Sequence, residues 1–137
     1  MNELDSFLAA HPDIEHFDAF LNDINTVEWG KRLDRKGLEK AYVSGMLLPG
    51  SMFALDVLGG TVEATGLGFD EGDADRPCMP IPQSLVRTPW LKERVAQVQL
   101  SMFERSGAPF FGNPREVLAG VLEKFKARGL TPCVAVE

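Results

Sequence analysis

Between Gly66 and Lys92 the chain places prolines at 77, 80, 82 and 89, and no regular helix passes through that spacing. Proline also donates no N–H, so the same four residues interrupt a strand ladder. This segment is therefore expected to cross the surface as an irregular, extended arm, with Trp90 and Leu91 pinning its far end. Just upstream, Leu47 to Pro82 divides into a Pro49-Gly50-Ser51 turn, two apolar runs and an acidic loop. Met52 to Leu58 reads as a strand, Gly59-Gly60 as a two-residue turn, and Thr61 to Thr65 as the returning strand. The loop holds Asp70, Glu71, Asp73 and Asp75, with Glu63 just before it and Arg76-Pro77 closing it. Polar residues this dense belong at a surface, where sites are built on rigid scaffolds.

The flanking segments supply that scaffold. Leu4, Phe7 and Leu8 share a helical face that His11-Pro12 ends. Phe17 to Asn22 reads as a strand, Asp23 to Thr26 as a turn, and Val27 to Leu33 as the paired strand. Asp34 then caps a helix carrying Leu38, Ala41 and Tyr42, and Gly45 stops it. Val95 to Phe103 alternates as a strand, and Ser106-Gly107 turns. Asn113-Pro114 opens a helix striped by Val117, Leu118, Val121, Leu122 and Phe125. Gly129 ends it, and Thr131 to Val136 reads as a last strand that Glu137 leaves without a stop signal, which suggests a longer parent protein. Hairpin, helix, hairpin, arm, strand, helix, strand is the order of an α+β, β-grasp (ubiquitin-like) fold, a sheet gripping one helix. Phe53, Leu55, Val57, Val98, Leu100, Val117, Leu118, Val121 and Leu122 are the expected core.

A chain of 137 residues suits one domain. Its net charge of -6 and lack of a basic, aromatic-interleaved patch exclude a phosphate-backbone partner, so no nucleic acid is expected. The start has no basic, apolar leader, and no apolar run approaches a membrane span, so a cytoplasmic location and no membrane partner are expected. Cys78 and Cys133 fit no metal spacing and read as buried free thiols. The alternating carboxylates around Gly72 suit a hard cation, but the twelve-residue calcium pattern and its closing glutamate are missing. A solvated loop, or carboxylates aimed at a cationic partner, is the stronger reading. Gly66-Leu67-Gly68 is a turn rather than a dinucleotide fingerprint. His11 and His16 have no nucleophile nearby in sequence.

The run LPGSMFALDVLGGTVEATGLGFDEGDADRPCMPIP, then PW, QVQLSMFERSGAPFFGNPREVLAGVLEKF and GLTPCVAVE, resembles the N-terminal β-grasp domain of the glutamine synthetase family. Its γ-glutamylputrescine, or γ-glutamylpolyamine, synthetase-like branch is the nearest in pattern. The resemblance covers nearly all of residues 13–137. It implies an ATP-dependent ligase joining the γ-carboxyl of glutamate to an amine through a γ-glutamyl phosphate, with Mg²⁺ or Mn²⁺ neutralising phosphate charge. It further implies a ring-shaped, dodecamer-like homo-oligomer in which this domain completes a neighbouring subunit's active site. A smaller state is expected for this chain alone.

Residue by residue, the family's D-G-S turn falls on Pro49-Gly50-Ser51, with Pro49 in place of the aspartate that holds ammonium. A second aspartate, at the edge of the amine site, falls on Asp75, and the first glutamate of a metal-binding E-x-E pair falls on Glu137. The resemblance thus names Asp75, Gly50 and Ser51 as site residues and Glu137 as a metal ligand, with no ATP-binding residue in this chain. The branch's first-hairpin motif N-G-V-x-R-G-K reads Asn25-Thr26-Val27-Glu28-Trp29-Gly30-Lys31, so its glycine is Thr26 and its arginine Trp29. The implied division is a helical segment over 1–14, the β-grasp domain over 15–112, and the start of a catalytic domain over 113–137. This chain alone is expected to be inactive. The competing reading is a stand-alone β-grasp interaction module without catalysis, since fold alone does not fix function.

Overall fold

The computed structural model describes residues 2–68 and 72–136. Helix α1 (Glu3–Ala10) starts where the Asn2 side chain accepts from Asp5 N at 2.8 Å, and it buries Leu4 and Leu8. Strands β1 (His16–Asn22) and β2 (Glu28–Leu33) form an antiparallel hairpin with Phe17 opposite Leu33. Helix α2 (Arg35–Ser44) follows. The Asp34 carboxylate accepts from Gly37 N, and Gly45 takes φ 74° to leave the helix. Next come β3 (Met46–Pro49), β4 (Asp75–Pro80), the short β5 (Val86–Arg87) and β6 (Val95–Met102).

Together they make one mixed sheet in the order β2-β1-β6-β4-β3, with β5 on the first half of β6. β1 and β6 run parallel at its centre, Ala19 beside Val98, and α2 lies across β1, β2 and β4. The expected α+β, β-grasp arrangement is therefore the one observed. Phe17, Ala19, Leu21, Leu38, Leu48, Cys78, Ala96, Val98, Leu100, Met102 and Phe110 are buried in one core.

The β1–β2 turn accounts for both departures from the branch motif. Thr26 sits at φ 65°, a left-handed position that favours glycine. The buried Asp23 carboxylate accepts from Asn25 N at 2.8 Å and Val27 N at 2.9 Å. Its second oxygen accepts from Trp29 Nε1 at 2.9 Å, so the indole donates where the motif has an arginine. Asn25 Nδ2 then donates to Leu55 O at 3.2 Å, tying this turn to the next loop.

Four expectations are corrected. Met52 to Leu58 and Thr61 to Thr65 are not strands: Gly50–Ala54 and Glu63–Thr65 are 3₁₀ turns. The expected hairpin shrinks to one antiparallel bridge, Leu55 opposite Thr61, and the Asp56 carboxylate accepts from Leu58 N and Gly60 N, both at 2.8 Å, which closes the loop between them. The Gly59-Gly60 turn stands, but Phe53 and Leu55 are half-buried and Val57 is exposed. The proline arm is not irregular throughout, since it contains β4 between two partners. Alternate residues of a strand aim their N–H and C=O at opposite edges. Pro77 keeps one bond of its pair, its carbonyl accepting from Phe103 N at 2.8 Å, and gives up the other just past the end of β6, while Pro80 faces the open edge beyond Met46, so no rung within the β4–β6 or β3–β4 ladders is lost. Trp90, 68% exposed, and Leu91 do not pin the arm.

The C-terminal stretch is the third correction. Helix α3 (Pro114–Lys126) is fixed only at its first turn. Asn113 Oδ1 accepts from Arg115 N at 3.2 Å, Asn113 Nδ2 donates to Ser101 Oγ at 2.9 Å, and Ser101 Oγ donates to Glu116. Its apolar stripe, Val117, Leu118, Val121, Leu122 and Phe125, is exposed rather than part of the core. Thr131 to Val136 forms no strand among the described residues, because no neighbour offers it an edge. Last, Cys78 is buried but Cys133 is exposed.

Candidate functional site

β3 and β4 run antiparallel, which sets the register of the site. Leu48 pairs with Arg76, and Pro49 pairs with Asp75. The substituted turn position and the carried-over carboxylate are thus cross-strand neighbours, a spacing of about 4.5–5.5 Å between Cβ atoms. An aspartate at 49 would face a like charge directly; Pro49 removes that repulsion along with the acceptor. Gly50 and Ser51 are buried as the chain enters its 3₁₀ turn. Ser51 N donates to Asp73 Oδ1 at 3.3 Å, so the turn is held by Asp73, not by Asp75. Asp75 itself is exposed. Asp70, Glu71 and Glu137 lie outside the described residues.

Beneath the loop stands Arg76, a residue the sequence reading used only to mark the loop's end. Its guanidinium lies over the buried Phe110 ring, 4.3 Å from the centroid. Nη1 donates to Ala74 O at 3.1 Å. Nε is buried and meets Glu104 Oε2 at 3.4 Å, an ion pair without hydrogen-bond alignment. Phe110 also packs on Phe53, with ring centroids 5.8 Å apart. Only the lone cation inside an acidic run hinted at this role; its contacts to Phe110 and Glu104 come from residues 28 to 34 positions away and have no local signature.

Arg76 divides the site into two spaces. On one side, Gly66, Leu67, Gly68, Gly72, Asp73 and Ala74 enclose a hollow of about 50 Å³. On the other, Ala74, Asp75, Glu104, Arg105 and Ser106 line an open cleft of about 400 Å³. Asp75 also edges a groove with Lys31 and Lys40 beside α2. The arrangement offers carboxylates to a cation at the cleft and a fixed, buried turn behind them. The buried thiol beside it is no ready nucleophile: burial, first, and then Asp75 push the Cys78 thiol up to about 12, against a contribution from the Leu48 backbone. Among the described residues, no three of His, Cys, Asp and Glu gather where they could hold a metal ion, so those residues do not fit one by themselves. No helix of the described residues is long and apolar enough to cross a membrane.

The resemblance to the glutamine synthetase family read in the sequence holds against known proteins. The chain is 38% identical over 135 residues to γ-glutamylputrescine synthetase PuuA of Escherichia coli (strain K12), covering 98% of this chain and 28% of that protein. Among solved structures, a GmaS/ADP complex and GmaS without ligand each superpose with a TM-score of 0.71 at 26% identity over 93% of this chain. A novel glutamine synthase homolog matches at TM-score 0.71 and 19% identity over 84% of the chain, which shows the fold alone. The chain spans about a quarter of the length of these proteins. It matches no protein-family profile.

Proposed function

We propose that this chain is the amine-side lip of a glutamine synthetase-type carbon–nitrogen ligase that joins glutamate to an alkyl amine or polyamine in preference to ammonia. The observation that carries the reading is the pairing of Pro49 with Asp75, the carboxylate that lines the cleft. A carboxylate about 4 Å from an ammonium contributes ~1 kcal/mol in water and ~4 kcal/mol near a protein surface. Ammonia's cation needs that carboxylate close to the reacting nitrogen, where Pro49 now stands. A diamine can place its reacting nitrogen there and its second charge on Asp75, further out. The 38% identity to a γ-glutamylputrescine synthetase supports the same substrate class.

In the longer parent protein, ATP and Mg²⁺ or Mn²⁺ supply the activation of glutamate, and Glu137 belongs to that apparatus. This chain contributes orientation and charge only, and alone it is inert. Residues 1–14 and 15–112 form the helical segment and the β-grasp domain, while 113–137 begin a catalytic domain. The exposed stripe of α3 supports that division, since an amphipathic helix leaves such a face open only where something else covers it. The protein acts in the cytoplasm as a ring-shaped homo-oligomer in which this lip serves a neighbouring subunit.

The test is the full-length protein's kcat/KM with putrescine-like diamines and with ammonia. A preference of at least about tenfold, or 1.4 kcal/mol, is expected. Asp75→Asn should weaken amine use more than use of ATP or glutamate. Equal efficiency with ammonia, or unchanged amine kinetics in Asp75→Asn, would show that this lip does not select the amine.

A further inference from the structure

Gly50 has no room for a side chain. A Cβ built there would lie 2.3 Å from Arg76 Nη1, 3.1 Å from Arg76 Cζ and 3.5 Å from Phe110 Cζ. The backbone of the turn therefore sits directly against the Nη1 end of the guanidinium, whose carbon lies 4.3 Å from the centroid of the Phe110 ring. The same guanidinium reaches the acidic loop through Ala74 O and the β6–α3 connection through Glu104. One planar group thus touches the 49–51 turn and both segments that line the cleft, the 73–75 loop and the 104–110 return. Its side chain is only 22% exposed, which limits the water that could loosen these contacts.

We infer that Arg76 is a positioning residue for amine selection: it sets the height of the Gly50-Ser51 turn and the aim of Asp75 without touching the amine. The inference rests on the amine-lip reading above. A lysine cannot replace it, because an ammonium is a point charge without the planar fork that lets one guanidinium meet Ala74 O, Glu104 and the Phe110 ring at once. Charge alone also fails as an explanation. A cation at this site opposes binding of an ammonium, so if Arg76 acted by its field, its removal would improve amine use.

The experiment uses the full-length protein with Arg76→Gln, Gly50→Ala and the double variant, measuring amine, glutamate and ATP kinetics. Arg76→Gln is expected to lower amine kcat/KM at least about tenfold, with glutamate and ATP KM within about twofold of the parent. Gly50→Ala is expected to lose a similar factor, and to add less than about twofold in the Arg76→Gln background, because the group its Cβ meets is gone. A smaller amine loss, a gain, equal losses for all three substrates, or losses that multiply in the double variant overturn the inference. Should Arg76→Gln not accumulate folded, Arg76→Lys carries the same thresholds. If Asp75→Asn leaves amine kinetics unchanged, the amine-lip reading itself falls; if Asp75→Asn is sensitive and Arg76→Gln is not, only this inference does.

Discussion

Leu118→Ala distinguishes an open helix face from a covered one. A fully covered leucine contributes about 1.5–3 kcal/mol by transfer, and truncating it in a closed core costs about 2–5 kcal/mol once the cavity is included. Leu118 is 57% exposed on α3, so it retains less than half of the transfer contribution, about 1 kcal/mol, and no cavity forms at an open surface. Alanine, the better helix former, returns a few tenths. The expected net loss in the 137-residue chain is about 0.5–1 kcal/mol. Leu38, 0% exposed beneath α2, is the control, and Leu38→Ala should cost about 2–5 kcal/mol. In the full-length protein, where the stripe is proposed to be covered, Leu118→Ala should move into that same range. Urea unfolding of each variant, with an unchanged m-value, reads these losses as midpoint shifts. A loss above about 2 kcal/mol in the 137-residue chain would refute the open face. A loss below about 1 kcal/mol in the full-length protein, with Leu38→Ala behaving as stated, would refute the covering domain.

Asp23→Ala leaves two backbone N–H groups and the Trp29 indole without their acceptor, and should destabilise the chain by about 1–3 kcal/mol in the same assay, with a loss below about 0.5 kcal/mol counting against the turn as drawn. Thr26→Gly relieves a left-handed residue at φ 65° and should stabilise by up to about 1 kcal/mol, and a destabilised variant would show that the threonine makes compensating contacts. A thiol reagent at pH 8 should label Cys133 and spare Cys78 until the chain unfolds, as mass spectrometry would show. Burial raises the folded pKa of Cys78 from 9.0 to about 12 and, with Glu3 adding, that of Tyr42 from 10.0 to about 12. Both favour the fold fully below their ordinary values, and that contribution is lost as pH climbs from about 9 to 12. A melting temperature flat across that window would contradict it.

The sequence by itself determined the elements whose signals are local. The Asp34 and Asn113 caps, the Gly45 stop, the β1–β2 hairpin and the period-two β6 are all in place, because capping oxygens, left-handed glycines and alternation act within a few residues. The meeting of Pro49 with Asp75 was prepared by the resemblance, which named both positions, but their pairing across β3 and β4 is a matter of register. Tertiary structure decided the rest. Pro77 and Pro80 sit inside a strand because Pro77 gives up its bond only past the end of β6 and Pro80 faces an edge beyond β3, which depends on where β3 and β6 end. Met52 to Leu58 has strand-like residues but pairs with the returning run only at Leu55 and Thr61, because a 3₁₀ turn takes its start and the Asp56 carboxylate captures Leu58 N and Gly60 N beyond. The stripe on α3 is as amphipathic as any core helix, yet periodicity says only that a face wants covering, not which part of the protein covers it. Arg76 gained its place from contacts with Gly50, Phe110 and Glu104, which are remote in sequence and adjacent only after the sheet has formed.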